Sequence, residues 1–213
     1  MKAAFREGLQ HQTAKPVLWL LCVLPFVWLV WGAVNDALGA NPAEYLIRTT
    51  GDWTLRLLCI TPAVTPLRVM FGLPELAKLR RLLGLFTYFY VVFHLLCYSW
   101  LDMGFEWGDI VEDIAKRPFI LVGFSAFVLL TPLAMTSFNR AIRCLGAKRW
   151  QWLHRLVYAV AVLAVLHFFW MRAGKSNFVE VFVYAAVLLV LLAWRMFHSS
   201  MWRQLSRSAG FTR

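Results

Sequence analysis

Apolar positions along this chain gather into six long runs separated by polar or helix-breaking stretches. The runs cover 17–34, 53–70, 82–101, 119–138, 150–170 and 178–197. Each is close to the roughly 20 residues that a helix needs to cross about 30 Å of hydrocarbon. The pattern predicts an all-α, polytopic membrane protein: six transmembrane helices in one bundle, as a single domain over 1–213 with almost no mass outside the membrane.

The runs differ in quality. The first follows Lys15-Pro16 and precedes Ala37-Leu38-Gly39-Ala40, which together mimic a secretory signal and its cleavage site. Its length, and Trp19, Trp28 and Trp31 near its ends, favour a retained helix. Residues 35–52 read as a polar loop with Gly39, Asn41-Pro42 and Gly51 as breakers. The second run holds Arg56, Pro62 and Pro66 and is expected to kink or end early. The segment DMGFEWGDIVEDIAKRP after the third run is acidic and has room for a short interfacial helix, whereas 139–149 reads as a basic loop.

Composition agrees: 61% of residues are hydrophobic and 15% charged. Loops this short hold no nucleotide-binding or catalytic domain, so a soluble electron donor, substrate or catalyst must come from a partner. The net charge of +11 would fit a nucleic-acid binder, but its distribution argues for topology. With both termini, 68–81 and 139–149 on one side, that side carries 15 Lys/Arg against five opposite. This is a positive-inside pattern with both termini cytoplasmic. No nucleic-acid-binding motif accompanies it. Cys22, Cys59, Cys97 and Cys144 have no metal-ligand spacing and read as small packing residues.

Chemistry enters with the histidines. The fifth run, WQWLHRLVYAVAVLAVLHFFW, carries His154 near its cytoplasmic end and His167 in the outer leaflet, about 20 Å apart in a helix. Imidazoles within a span are costly and point to a functional site. His94, in the far half of the third run, falls at the depth of His167. Two facing imidazoles hold one iron axially, whereas zinc or copper asks for more convergent ligands than this depth supplies. An iron so held has no open position and suits electron transfer. The alternative is a pair of ordinary polar helix contacts.

The inner site is less complete. Arg80 lies 14 residues before His94 and within about 40° of its helix face. It has no lone pair to give iron, but pairs well with a propionate or phosphate. His198 has a suitable depth and equally reads as a solvated helix end. The 13 residues from His154 to His167 leave their rings about 140° apart in an ideal helix, so local overwinding or offset sites are required. Arg56 is a candidate for neutralising propionates at the outer site, and Arg155 sits beside His154; snorkelling to headgroups is the alternative for both. Arg81 belongs to a basic rim with phosphate-binding potential, or with charge set by topology alone.

The segments RRLLGLFTYFYVVFHLLCY, LAMTS and LGAKRWQWLHRLVYAVAVLAVLHFFW closely resemble the MsrQ (YedZ) family of the ferric-reductase-like transmembrane superfamily, and the resemblance spans essentially the whole chain. It implies a b-type cytochrome of the bacterial inner membrane, carrying one or two haem b groups with His94, His154 and His167 as iron ligands. It further implies FMN near the cytoplasmic face and electrons from a cytosolic flavin reductase or from quinol. The acceptor would be a periplasmic molybdopterin methionine-sulfoxide reductase that repairs oxidised periplasmic proteins, this chain being the electron-transfer subunit. Superfamily members have two histidines on each of two helices; here one inner position is arginine, which leaves the second inner ligand open. A small transporter or assembly factor with structural or proton-relaying histidines, and a direct metal-ion or quinone reductase, are the competing readings.

Overall fold

A computed structural model describes residues 14–173 and 178–208, with side chains of the last helix described to Phe197. The helices are α1 (Ala14–Val34), α2 (Pro42–Phe71), α3 (Ala77–Cys97), α4 (Trp107–Lys116), α5 (Pro118–Met135), α6 (Asn139–Leu145), α7 (Ala147–Leu153), α8 (Leu156–Ala173) and α9 (Val179–Ser208). A 3₁₀ turn at Pro74–Leu76 leads into α3, and a π-helical turn at Tyr98–Asp102 extends it. Six stretches are long and apolar enough to cross a membrane, and they overlap the six apolar runs.

The second span begins at Pro42, well before residue 53. Asn41-Pro42, read from sequence as a breaker, is instead a helix start. The Asn41 side chain accepts the Glu44 N–H at 3.1 Å, and Pro42 occupies a first-turn position that needs no N–H partner. Glu44 suits the positive end of the helix dipole and pairs with Arg48 at 2.6 Å. Gly51 therefore lies inside α2. Pro62 and Pro66 do not end the helix, which runs to Phe71 and is capped by Gly72 at φ 64°.

The fifth span is also not one continuous helix. α7 ends at Leu153 and α8 starts at Leu156, with His154 and Arg155 in the turn between them. The bonds Arg155 N–H to Trp152 O and Tyr158 N–H to Arg155 O, both 3.0 Å, have the i→i+3 spacing of a tightened turn. The helix is thus locally overwound next to His154. Segment 139–149, expected to be a loop, folds as α6 and the start of α7 around Gly146 at φ 74°. α4 is the short helix anticipated between the third and fourth spans. Tyr98 donates to Asp113 at 2.7 Å and Arg117 pairs with Asp113 at 2.7 Å, tying α4 to the end of the α3 turn.

Five spans close into a ring. α2 packs on α3, α3 on α5, α5 on α8, α8 on α9, and α9 back on α2. α1 lies outside this ring against α3, where Tyr90 donates to the Cys22 carbonyl at 2.8 Å. Leu20, Leu21, Leu24 and Val27 of α1 are exposed, as a lipid-facing surface requires. Between helices in lipid, dispersion and interhelical hydrogen bonds hold the bundle, since apolar burial gains little there. Within the ring, Leu55 and Leu58 of α2, Leu130 and Leu133 of α5 and Val160 of α8 form a buried apolar layer, with Val91 of α3 packed against it. Along the chain this layer falls between His94 and His167 at one end and His154 at the other.

Candidate metal centre and basic cavity

Above the apolar layer, α3 and α8 bring His94 and His167 together across the ring. Their ring centroids are 6.2 Å apart and their planes are at 79°. Each imidazole is held from behind by a backbone carbonyl of the neighbouring helix. Nδ1 of His94 lies 2.8 Å from the Ile47 carbonyl of α2, and Nδ1 of His167 lies 2.7 Å from the Phe119 carbonyl of α5. A carbonyl only accepts, so Nδ1 carries the proton and donates in both rings. Nε2 is then the nitrogen with the lone pair. Thr50, fully buried, gives its proton to the Leu46 and Ile47 carbonyls and presents its oxygen 3.3 Å from the same His94 Nδ1.

This arrangement fits a single metal ion between two imidazoles. Metal–nitrogen bonds of about 2 Å, plus about 1 Å from each nitrogen to its ring centre, sum to about 6 Å. Donation of the second ring nitrogen to a carbonyl is the usual way a ligating histidine is oriented. Among the described residues no group of three or more His, Cys, Asp or Glu converges, so the site offers two imidazoles, fewer ligands than zinc or copper usually takes and a set that would suit haem iron. The walls also make room for the rings. Gly51 on α2 and Gly123 on α5 sit directly against His94 and His167.

Below the layer lies a cavity of about 670 Å³. His154 lines it, held differently from the outer pair. Its Nε2 lies 3.2 Å from the Thr136 hydroxyl, which itself donates to the Pro132 carbonyl at 2.6 Å, so Nε2–H is the donor. Trp150 stacks on the ring with centroids 4.0 Å apart, and its own N–H is fixed by the Thr136 carbonyl at 2.9 Å. Arg80 and Arg195 reach the cavity as half-buried guanidiniums, and Lys15, Arg68, Lys78 and Arg81 are exposed cations at its rim. Arg80 donates to Thr65 at 3.4 Å. Six cations and no carboxylate line this space among the described residues. Such a set favours a negatively charged occupant, with Leu58, Val64, Leu130 and Val157 as the apolar part of the lining.

The structure thus joins His94 with His167, and His154 with Arg80 and Arg81. Arg81 also donates to Asn139 at 2.9 Å, linking α3 to α6. Arg56 is exposed, with its guanidinium 4.9 Å over the Trp53 ring, and Arg155 is exposed in the turn after His154. The His198 side chain lies outside the described residues. Sequence reasoning missed Thr50, Thr136, Gly51 and Gly123. Gly123 carried a readable signal, since a glycine inside an apolar helical run marks a close backbone approach, whereas Gly51 fell in the segment read as a loop.

A helical ring with two inward imidazoles at one depth and a basic cavity at the other defines a membrane-embedded protein of ferric-reductase type. The ferric reductase like transmembrane component family matches residues 50–165, from Thr50 behind His94 to within two residues of His167. The protein-methionine-sulfoxide reductase heme-binding subunit MsrQ of Polaromonas naphthalenivorans is 66% identical, over 92% of this chain and 90% of its own. Its counterpart from Ralstonia nicotianae is 54% identical over 84% of this chain and 82% of its own, and that from Herminiimonas arsenicoxydans 48% over 91% and 88%. This chain belongs to the MsrQ family and is a multi-pass protein of the bacterial inner membrane. No solved structure matches it.

Proposed function

We propose that this chain is the haem-binding membrane subunit of a methionine-sulfoxide reductase system, moving electrons from the cytoplasmic side to a periplasmic molybdopterin reductase. The observation that carries the reading is the His94/His167 pair, 6.2 Å apart with each Nδ1 bound to a carbonyl. A haem b held there would supply one-electron transfer. His94 of α3 and His167 of α8 would hold the group, while Thr50 and the Ile47 and Phe119 carbonyls orient the two rings. The apolar layer around Leu55, Leu130 and Val160 excludes water between this centre and the cavity.

The cavity takes a second planar redox group with about two negative charges. FMN suits a lining with one imidazole and six cations, Arg80 and Arg195 holding its phosphate. A second haem is favoured by one feature, the presence of His154 as a ligand. The positive-inside pattern of the basic loops supports a cytoplasmic cavity, where a flavin reductase or quinol would deliver electrons. The acidic outer segment 102–113 is the docking face for the periplasmic reductase.

The test is the dithionite-reduced spectrum and pyridine-haem content of purified protein, with extracted flavin measured alongside. Wild type should show a b-type spectrum that largely collapses in His94→Ala. Residual haem, or flavin in a fixed ratio to protein, identifies the inner occupant. A colourless wild type after haem-supplemented expression sinks the reading and promotes a transporter or assembly factor.

A further inference from the structure

The two outer histidines are seated by the same device on two different helices. Each bonds the carbonyl of a residue i on its neighbour, and residue i+4 of that neighbour is glycine: Ile47 and Gly51 behind His94, Phe119 and Gly123 behind His167. In an α-helix the carbonyl of i already accepts the N–H of i+4. An imidazole that shares this carbonyl must pass over residue i+4. A side chain there leans toward the preceding turn, into the path the ring takes.

The clash is measurable. A Cβ on Gly123 would lie 2.8 Å from both Cε1 and Nδ1 of His167 and 3.2 Å from its Cγ. On Gly51 it would lie 3.2 Å from Cε1 and 3.4 Å from Nδ1 of His94. Carbon contacts are comfortable at about 3.5–4.0 Å. The rings are planar and anchored at Nδ1, so neither yields by a small torsion. Glycine is also the poorest helix former after proline, so alanine would strengthen α2 or α5 if no ring lay against it.

We propose that Gly51 and Gly123 are positioning residues for the outer centre: lacking a Cβ, they let His94 and His167 reach a helix carbonyl and so aim both Nε2 atoms at one iron. The proposal rests on the haem reading of the outer pair.

The experiment uses the full chain, expressed with haem supplementation and purified in detergent, as wild type, Gly123→Ala, Gly51→Ala and Gly108→Ala. Gly108 has open space where its Cβ would be and serves as control. Haem content, low-spin g values by electron paramagnetic resonance, midpoint potential and melting temperature are read for each. Gly123→Ala should hold haem about tenfold less tightly. Gly51→Ala, with the milder overlap, should keep most of its haem with displaced g values and a shifted potential; Gly108→Ala should match wild type. Wild type with low-spin haem, and both alanine variants folded with wild-type content, g values and potential, overturns the seat alone. Loss of folding in both variants, with or without haem, assigns the glycines to helix packing and also overturns it. A wild type without bis-histidine haem overturns the reading beneath, and the seat with it.

Discussion

The two polar regions of this bundle solve opposite problems. In the outer one, two rings meet inside the helix ring, each with its Nδ1 tied to a helix carbonyl. In the inner one, a single ring donates its Nε2–H to a threonine while six cations surround a cavity of about 670 Å³. The outer region is specified by direction, since a ligand a fraction of an ångström astray does not bond. The inner is specified by charge, which acts over a longer range and tolerates an adaptable occupant. The difference teaches where each is fragile.

The largest effect expected follows from direction. His167→Ala removes one of the two imidazoles proposed to hold haem, and the b-type signal should be lost almost completely, read as the pyridine-haem yield and the reduced band. His154→Ala should leave that band in place. Equal loss in both variants would erase the distinction between the regions.

A smaller effect tests charge. Arg80→Gln takes away a half-buried cation and its charge-assisted bonds, each worth about 1.5–3 kcal/mol. The inner occupant should bind about tenfold or more weakly, measured as retention through a dilution series, while the outer spectrum stays put. Raising salt from about 0.1 to 1 M should act in the same direction through the exposed rim of Lys15, Arg68, Lys78 and Arg81, because screening reaches exposed charges first. Salt sensitivity at the outer centre instead would contradict the contrast.

Thr136→Val is milder still. It leaves the Thr136 carbonyl bond to Trp150 intact and removes only the hydroxyl facing His154. The lost partner is worth about 1 kcal/mol, or about fivefold in affinity for the inner occupant. An unchanged affinity would show that Trp150 stacking alone fixes the His154 ring.

What was legible in the sequence divides along physical lines. Six spans were legible because hydropathy averages many side chains. The pairing of His94 with His167 was legible because residue count along a helix is depth in a membrane. The grouping of Arg80 with His154 followed from the 14-residue repeat on α3. The start of α2 at Pro42 was missed because it depends on one capping side chain, Asn41, whose polarity mimics a loop. The partners of the outer rings were missed because every residue owns a carbonyl; only the absent Cβ at Gly51 and Gly123 marks which ones are reachable. Angle counting along the fifth run left local overwinding and offset sites both open; the turn at His154–Arg155 depends on two backbone bonds that composition does not announce.

The smallest effect expected separates both regions from the rest of the fold. Tyr90 lies on α3 between Arg80 and His94, yet its fully buried ring points to α1 and its hydroxyl bonds the Cys22 carbonyl. Tyr90→Phe removes that bond while keeping the ring and its stacking on Trp53. Interhelical bonds within membranes average about 0.6 kcal/mol, so melting should fall by only a few degrees. Neither the outer spectrum nor the affinity of the inner occupant should move, because α1 stands outside the ring that carries both. A change in either cofactor signal would make α1 part of the scaffold that sets the sites, and the five-helix ring would no longer account for them alone.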